Sequence, residues 1–175
     1  YLEEEKGKES DLDKCIGLLE RMDAVVIGPG MGRNIKLRDD IKEIMEYLLG
    51  KAKKPVVLDA DALFHLSTNS GIRDLVKNSE SSVILTPNII EFRRLAESEG
   101  VDSIQGLSKV LGCTVIQKGT IDLISIKGSE PIEVNEPGSL KRVGGQGDTL
   151  TGILGTLLCW GVNYQGGKES IDEII

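Results

Sequence analysis

The 175-residue chain has one histidine and three scattered cysteines, and these shortages remove several classes of chemistry at once. Cys15, Cys113 and Cys159 show no Cys-x-x-Cys spacing, so they make neither a disulfide framework nor, with His65 alone, a zinc site. Three reduced, buried thiols are the expectation, which fits an intracellular protein, cytoplasmic or a mitochondrial isoform. No apolar run reaches the ~18 residues of a membrane span. Lys and Arg number 21 against 28 Asp and Glu, and the net charge of -7 argues against a nucleic-acid groove, although local basic spots remain open. Residues 1–10 are mostly Glu and Lys, the opposite of a signal peptide, and a loose polar lead-in is expected there. No Gly-Lys-Ser/Thr occurs, so there is no Walker motif. There is no internal repeat and no low-complexity block.

What is present alternates. With 39% hydrophobic residues the chain suits one domain with a core, here over 11–175. Asp11 caps a predicted helix with Leu12, Cys15, Leu19 and Met22 on one face. Ala24-Val-Val-Ile27 is too short for a stable helix and reads as a buried strand stopped by glycines. Leu37, Ile41, Ile44, Met45, Leu48 and Leu49 form a helical stripe. A strand at Val56-Val-Leu58 follows, then a weak helical pattern over Ile72 to Val76 and a third strand at Val83-Ile-Leu85. Short helices fit Glu91 to Ala96 and Ile104 to Leu111, with Ser103 as cap of the second, before a fourth strand at Thr114-Val-Ile-Gln117. This rhythm predicts an α/β fold with a parallel sheet covered by helices. It then changes to a hairpin, Leu123 to Ile126 and Ile132 to Val134 around Lys127-Gly-Ser129, and ends in a helix from Asp148 to Trp160. His65 and Trp160 read as packing residues.

The first four strands end on Gly28, Asp59, Thr86-Pro87 and Lys118-Gly119. In an open parallel sheet those positions line the crevice at the carboxyl edge, which predicts one composite site there. The sharpest motif is Gly144-Gly-Gln-Gly-Asp148, opening the last helix. Its backbone N–H groups and the positive helix end suit a phosphate, and Asp148 would stand beside it as a base. A plain turn with Asp148 as helix cap is an equal reading of those residues alone. Gly152 and Gly155 inside the helix suggest tight packing on a neighbour. Gly28-Pro-Gly-Met-Gly32 is not the dinucleotide fingerprint, since its last glycine would fall at Arg33 and Pro29 has no N–H; a flexible turn is the plain alternative. Asp59 and Asp61 could hold a cation or water, or cap a turn. Asn88 and Glu91 suit a helix-capping arrangement slightly better than a ligand, and Lys118 is either a phosphate ligand or a solvated lysine.

Together these phrases resemble one family. Val26-Ile-Gly-Pro-Gly-Met-Gly-Arg33, Val56-Val-Leu-Asp-Ala-Asp-Ala-Leu63, Leu85-Thr-Pro-Asn88 with Glu91-Phe92, Val115-Ile-Gln-Lys-Gly119 and Gly144-Gly-Gln-Gly-Asp148 occur in this order in the ATP- or ADP-dependent NAD(P)H-hydrate dehydratases. The last phrase has the form of the eukaryotic branch. The resemblance implies a ribokinase-like three-layer α/β/α sandwich. It also implies a repair reaction, in which the hydrated nicotinamide ring of (S)-NADHX or (S)-NADPHX is phosphorylated on its hydroxyl and loses phosphate.

By match, Asp148 would be the base and would touch the hydrated cofactor, and the backbone of Gly144 to Gly147, Gly145 and Gly147 foremost, would hold the transferred phosphoryl. Gly30, Asn88, Ile89, Ile90, Glu91, Phe92, Arg93 and Arg94 would contact the hydrated cofactor. Lys118, Gly119, Thr120, Ile121 and Asp122 would border the nucleotide. So would Gly138, Ser139, Leu140, Lys141, Arg142, Val143, Gly144 and Gln146, with Lys141 and Arg142 as the basic spot facing a triphosphate. Bacterial members often carry His where Asn88 stands, a mild departure. Mg2+ is implied with the nucleotide, held by phosphates and waters, with no residue assigned as its ligand. The resemblance further implies an epimerase as functional partner, no nucleic-acid or membrane partner, and segments before Tyr1 and beyond Ile175. It leaves homo-oligomerisation open. Two other functions fit the same residues: a ribokinase-fold kinase of a small vitamin-type metabolite, and a shortened non-catalytic nucleotide-binding isoform.

Overall fold

The structure, a computed structural model, describes residues 11–138 and 143–164, Tyr164 by its backbone alone. Six strands form one sheet in the order β1 to β6: Val25–Ile27, Val56–Leu58, Val83–Leu85, Thr114–Gln117, Asp122–Ile126 and Ile132–Val134. The first four are parallel, and β5 and β6 run antiparallel to their predecessors. The helices are α1 (Asp11–Leu19), α2 (Arg38–Met45), α3 (Ala60–Thr68), α4 (Ser70–Lys77), α5 (Ile89–Glu99), α6 (Ile104–Leu111) and α7 (Gln146–Tyr164).

The strand order explains the layers. Each parallel strand is laid beside its predecessor in one direction, so right-handed crossovers put their helices on the same face. Alternation along β2 shows the result: Val56 and Leu58 join a core with α2 to α6, while Val57 faces the other way with Leu154 and Leu158 of α7. Each of those buried leucines contributes about 1.5–3 kcal/mol to holding α7 on the sheet.

Local chemistry sets the ends of these elements. Ser103 Oγ accepts from Gly106 N–H at 3.1 Å and caps α6, and Gly112 closes that helix at φ +63. The hairpin turns at Lys127 and Gly128, both at positive φ, the geometry of a primed two-residue turn. The long apolar stripe becomes α2 and continues as a single wide turn over Glu46–Lys51.

Several expectations change. α1 stops at Leu19 and buries no residue, and Met22 lies outside it, 43% exposed. β1, expected to be buried, is an edge strand among the described residues, with Val26 exposed. Helix α3 was not expected at all. The Asp pair at its start reads as a turn in the sequence. Only Cys113 is fully buried; burial pushes its thiol up to about 12, while Cys15 and Cys159 are half-buried, all three free. Residues 1–10 and 165–175 lie outside the described residues.

Candidate active site

Helix α7 begins at Gln146, so Gln146, Gly147 and Asp148 fill its first three positions, where backbone N–H groups have no acceptor within the helix. Gly145 precedes them at φ +84, which an L side chain rarely adopts, and its carbonyl accepts the first helical bond, from Thr149 N–H at 2.9 Å. The end of a 19-residue helix therefore presents free donors and partial positive charge. Asp148 is exposed there, and its carboxylate makes no hydrogen bond or ion pair among the described residues, its carbonyl alone accepting from the Thr151 hydroxyl at 3.0 Å. It stands inside the first turn rather than before it, so the cap reading fails and the carboxylate is free to act on a ligand.

Beneath this turn lies an ion pair from two distant strand ends. Lys118 Nζ donates to Asp59 Oδ1 at 2.7 Å, the Asp side chain only 4% exposed and the Lys 24%. A Cβ added at Gly147 would stand 3.6 Å from both Asp59 Oδ2 and Lys118 Nζ, so the α7 terminus rests on the pair. Lys118 is thus no solvated lysine, and Asp59 is engaged with it rather than capping α3. Ala60, next in the chain, is held at φ +47, strain concentrated beside the site.

Lys118 also joins the two expected ligand stretches. Its N–H donates to Pro87 O at 2.8 Å, and it bridges Asn88. Gly119 N–H donates to Asp122 Oδ1 at 2.8 Å, which folds the turn carrying exposed Thr120 and Ile121. Asn88 and Glu91 form a capping box: Asn88 Oδ1 accepts from Ile90 and Glu91 N–H, and Glu91 Oε2 from Asn88 N–H. Ile89, Ile90 and Arg93 are exposed and Arg94 half-buried. Phe92, expected against the substrate, packs in the core and anchors α5 instead.

Gly28 is no flexible turn residue. At φ +128 its α-carbon lies against the backbone of Asp59, and an added Cβ would come within 1.8 Å of Asp59 O. Gly30 has open space around it. Asp61 organises the same loop, accepting from Gly32 N–H at 2.9 Å and Arg33 Nε at 2.7 Å. The bond from Arg33 holds the Asp61 carboxyl below the usual carboxylate range. A folded value below the unfolded one gives stability that is present above about pH 4 and lost as pH falls through the lowered value. The thermal midpoints of wild type and Asp61→Asn should therefore differ at neutral pH and converge on acidification; a constant gap would remove this ion pair from the loop's support.

Gly138 and Val143 are exposed, while Ser139, Leu140, Lys141 and Arg142 lie outside the described residues. Gly155 packs on β1 as expected, its added Cβ 2.9 Å from Val26 Cγ2, but Gly152 has no neighbour within 4 Å. His65 is buried, its Nε2 3.0 Å from Gly32 O. Trp160, expected to pack, is 65% exposed. With Ile153, Gly152 and Asp148 it lines an open groove of about 400 Å3 along α7.

The ends of β2 and β4 thus meet beneath the start of α7, whose exposed first turn carries an unpaired carboxylate. The model of the NAD(P)H-hydrate dehydratase family matches residues 1–171. The chain belongs to this family. It is 41% identical over 163 residues to the ATP-dependent (S)-NAD(P)H-hydrate dehydratase of Schizosaccharomyces pombe, covering 88% of this chain and 48% of that one. To the Saccharomyces cerevisiae protein of the same name it is 42% identical, covering 84% and 47%. The chain spans about half the length of these curated relatives.

Solved structures share the fold. The Bacillus subtilis ADP/ATP-dependent NAD(P)H-hydrate dehydratase co-crystallised with ATP/Mg2+ matches with a TM-score of 0.60 and 23% identity over 87% of this chain and 50% of that one. A ribokinase-like protein of Enterococcus faecalis matches with 0.63 and 24% over 83% and 50%. The ribokinase-like α/β architecture is therefore shared across the family members and neighbours. Sequence reasoning missed the Asp59–Lys118 and Asp61–Arg33 pairs, although all four residues stand at strand ends or just beyond them.

Proposed function

We propose that the chain carries the catalytic edge of an ATP-dependent dehydratase that restores NADH and NADPH from their (S)-hydrates. One observation carries this reading: the unpaired Asp148 carboxylate in the first turn of α7, beside free N–H donors and over the Lys118–Asp59 pair. Family membership and relatives named for this activity support it.

The chemistry follows from leaving groups. Hydroxide leaves poorly and phosphate leaves well. Asp148 takes the proton of the ring hydroxyl as that oxygen attacks the terminal phosphorus of ATP, and the bond to the bridging oxygen breaks to release ADP. The glycine turn and helix terminus stabilise charge on the transferred phosphoryl. The ring nitrogen lone pair then expels phosphate, and loss of a proton from the adjacent ring carbon restores the reduced ring. Lys118 and the turn to Asp122 border the nucleotide, with Gly138 and the stretch from Val143 to Gly147. Gly30 and the exposed residues of Asn88 to Arg94 border the hydrated cofactor.

Among the described residues no group of three or more metal-ligating side chains stands together. Mg2+ fits here as a companion of the nucleotide, carried by phosphate oxygens and water, neutralising phosphate charge when bound. An epimerase that supplies the (S) isomer is the functional partner in this reading.

Lys118→Ala should weaken ATP binding and also destabilise the chain by about 3–5 kcal/mol, because Asp59 is left buried without a partner. Asp59→Asn with Lys118→Met should recover the stability but not the ATP affinity; unchanged affinity in both variants, measured by calorimetry, takes Lys118 out of the site. The function itself is tested by product identity. Inorganic phosphate and recovered dihydronicotinamide should appear one for one. A stable phosphorylated product would instead make the chain a metabolite kinase, and absence of turnover with retained ATP binding would make it a non-catalytic nucleotide binder.

A further inference from the structure

Two arginines from different parts of the chain share one aromatic ring. Arg33, after the Gly28–Gly32 loop, and Arg94, on α5, hold their guanidinium carbons 5.3 and 5.5 Å from the centroid of Phe64, on α3. Like charges gathered on one ring repel unless an anion offsets them. Asp61 offsets one, through Arg33 Nε at 2.7 Å. Arg94 makes no ion pair among the described residues, and neither do the Nη groups of Arg33. In a chain of net charge -7 this leaves a local surplus of positive charge.

Its position matters. α3 begins after Asp59, partner of Lys118, and α5 begins after Asn88, bridged to Lys118. Phe64 and Arg94 lie four and five residues past those starts, a rise of roughly 6–8 Å along the helix axes at about 1.5 Å per residue. Arg94 lies on α5 and Arg33 directly follows the Gly28–Gly32 loop, the two segments that border the hydrated cofactor in the proposed function.

We propose that Arg33 and Arg94, splayed over Phe64, form a phosphate clamp for the dinucleotide substrate, engaging its bridging pyrophosphate or its 2′-phosphate. This rests on the repair reading for the identity of the ligand, but the clamp is a property of this chain's own residues. Guanidinium forks match phosphate oxygens in pairs, and the Phe64 face keeps both planes in place before the ligand arrives. The Asp61 bond fixes Arg33 by Nε and leaves its Nη donors for the anion. Remote phosphate binding of this kind would position the ring at Asp148 without taking part in the chemistry.

The test is calorimetric titration of ADP-ribose, its 2′-phosphate and ATP into wild type, Arg94→Gln and Arg94→Lys, after thermal unfolding confirms that each variant folds. Arg94→Gln should lose about 10–100-fold in affinity for a ribose ligand, the size of one charge-assisted contact, and Arg94→Lys should lose less. ATP affinity should not move. A loss shared by both ribose ligands places the bridging pyrophosphate in the clamp; a loss confined to the 2′-phosphate compound places that group there. Unchanged affinities in Arg94→Gln, no binding of either ribose ligand to wild type, or an equal loss for ATP would each overturn the proposal. The repair reading fails separately: wild type that binds ADP-ribose through Arg94 yet never restores hydrated NADH keeps the clamp and loses the reaction.

Discussion

Asp148→Asn is expected to lower turnover by about 10²–10⁴-fold while leaving ATP affinity within a factor of about three. The substitution keeps the size and polarity of the side chain and removes its ability to take a proton. The Asp148 carboxylate makes no hydrogen bond or ion pair among the described residues, so no structural partner is lost with the charge. In the proposed function the nucleotide rests instead on backbone donors and Lys118. Single-turnover rates together with ATP titration separate the two effects. An equal loss in rate and affinity would mean that Asp148 holds the nucleotide and is not the base.

The second large effect is structural. Gly28→Ala should destabilise the chain by more than about 4 kcal/mol, enough to prevent folding of a domain of ordinary stability. The added methyl would fall 1.8 Å from Asp59 O and 3.0 Å from Ala62 Cβ, at a φ of +128 that disfavours any side chain. Relief would require separating β1 from the start of α3, and with it the residue that pairs with Lys118. Gly30→Ala is the matched control: it meets nothing within 4 Å and bears only the left-handed penalty at φ +68, about 1–2 kcal/mol. Chemical denaturation of both variants decides the matter. Similar midpoints would show that the loop, and not contact with Asp59, governs the position.

How much of this could be read from the sequence depended on the range of the forces involved. The parallel strands were legible because each is a short β-branched run that ends on a turn residue. The hairpin was legible because Lys127-Gly128 separates two such runs. The composite site was legible as a principle of open sheets, since strand ends converge whatever their sequence. Contacts across 59 residues, such as Lys118 to Asp59, leave no local pattern, and each residue alone has a plainer reading. Trp160 misled because an aromatic residue at helical spacing usually packs; here it borders a groove among the described residues. Asn88 and Glu91 were legible as a helix-capping arrangement, which is a reciprocal capping box at the start of α5.

The central claim is that the α7 terminus with Asp148 performs nucleotide-driven repair of a hydrated nicotinamide ring. The most direct measurement follows absorbance of the reduced ring when this chain is mixed with ATP, Mg2+ and hydrated NADH. The account predicts recovery that requires ATP and disappears in Asp148→Asn. ATP binding without recovery of the reduced ring, or recovery that persists in Asp148→Asn, would contradict it.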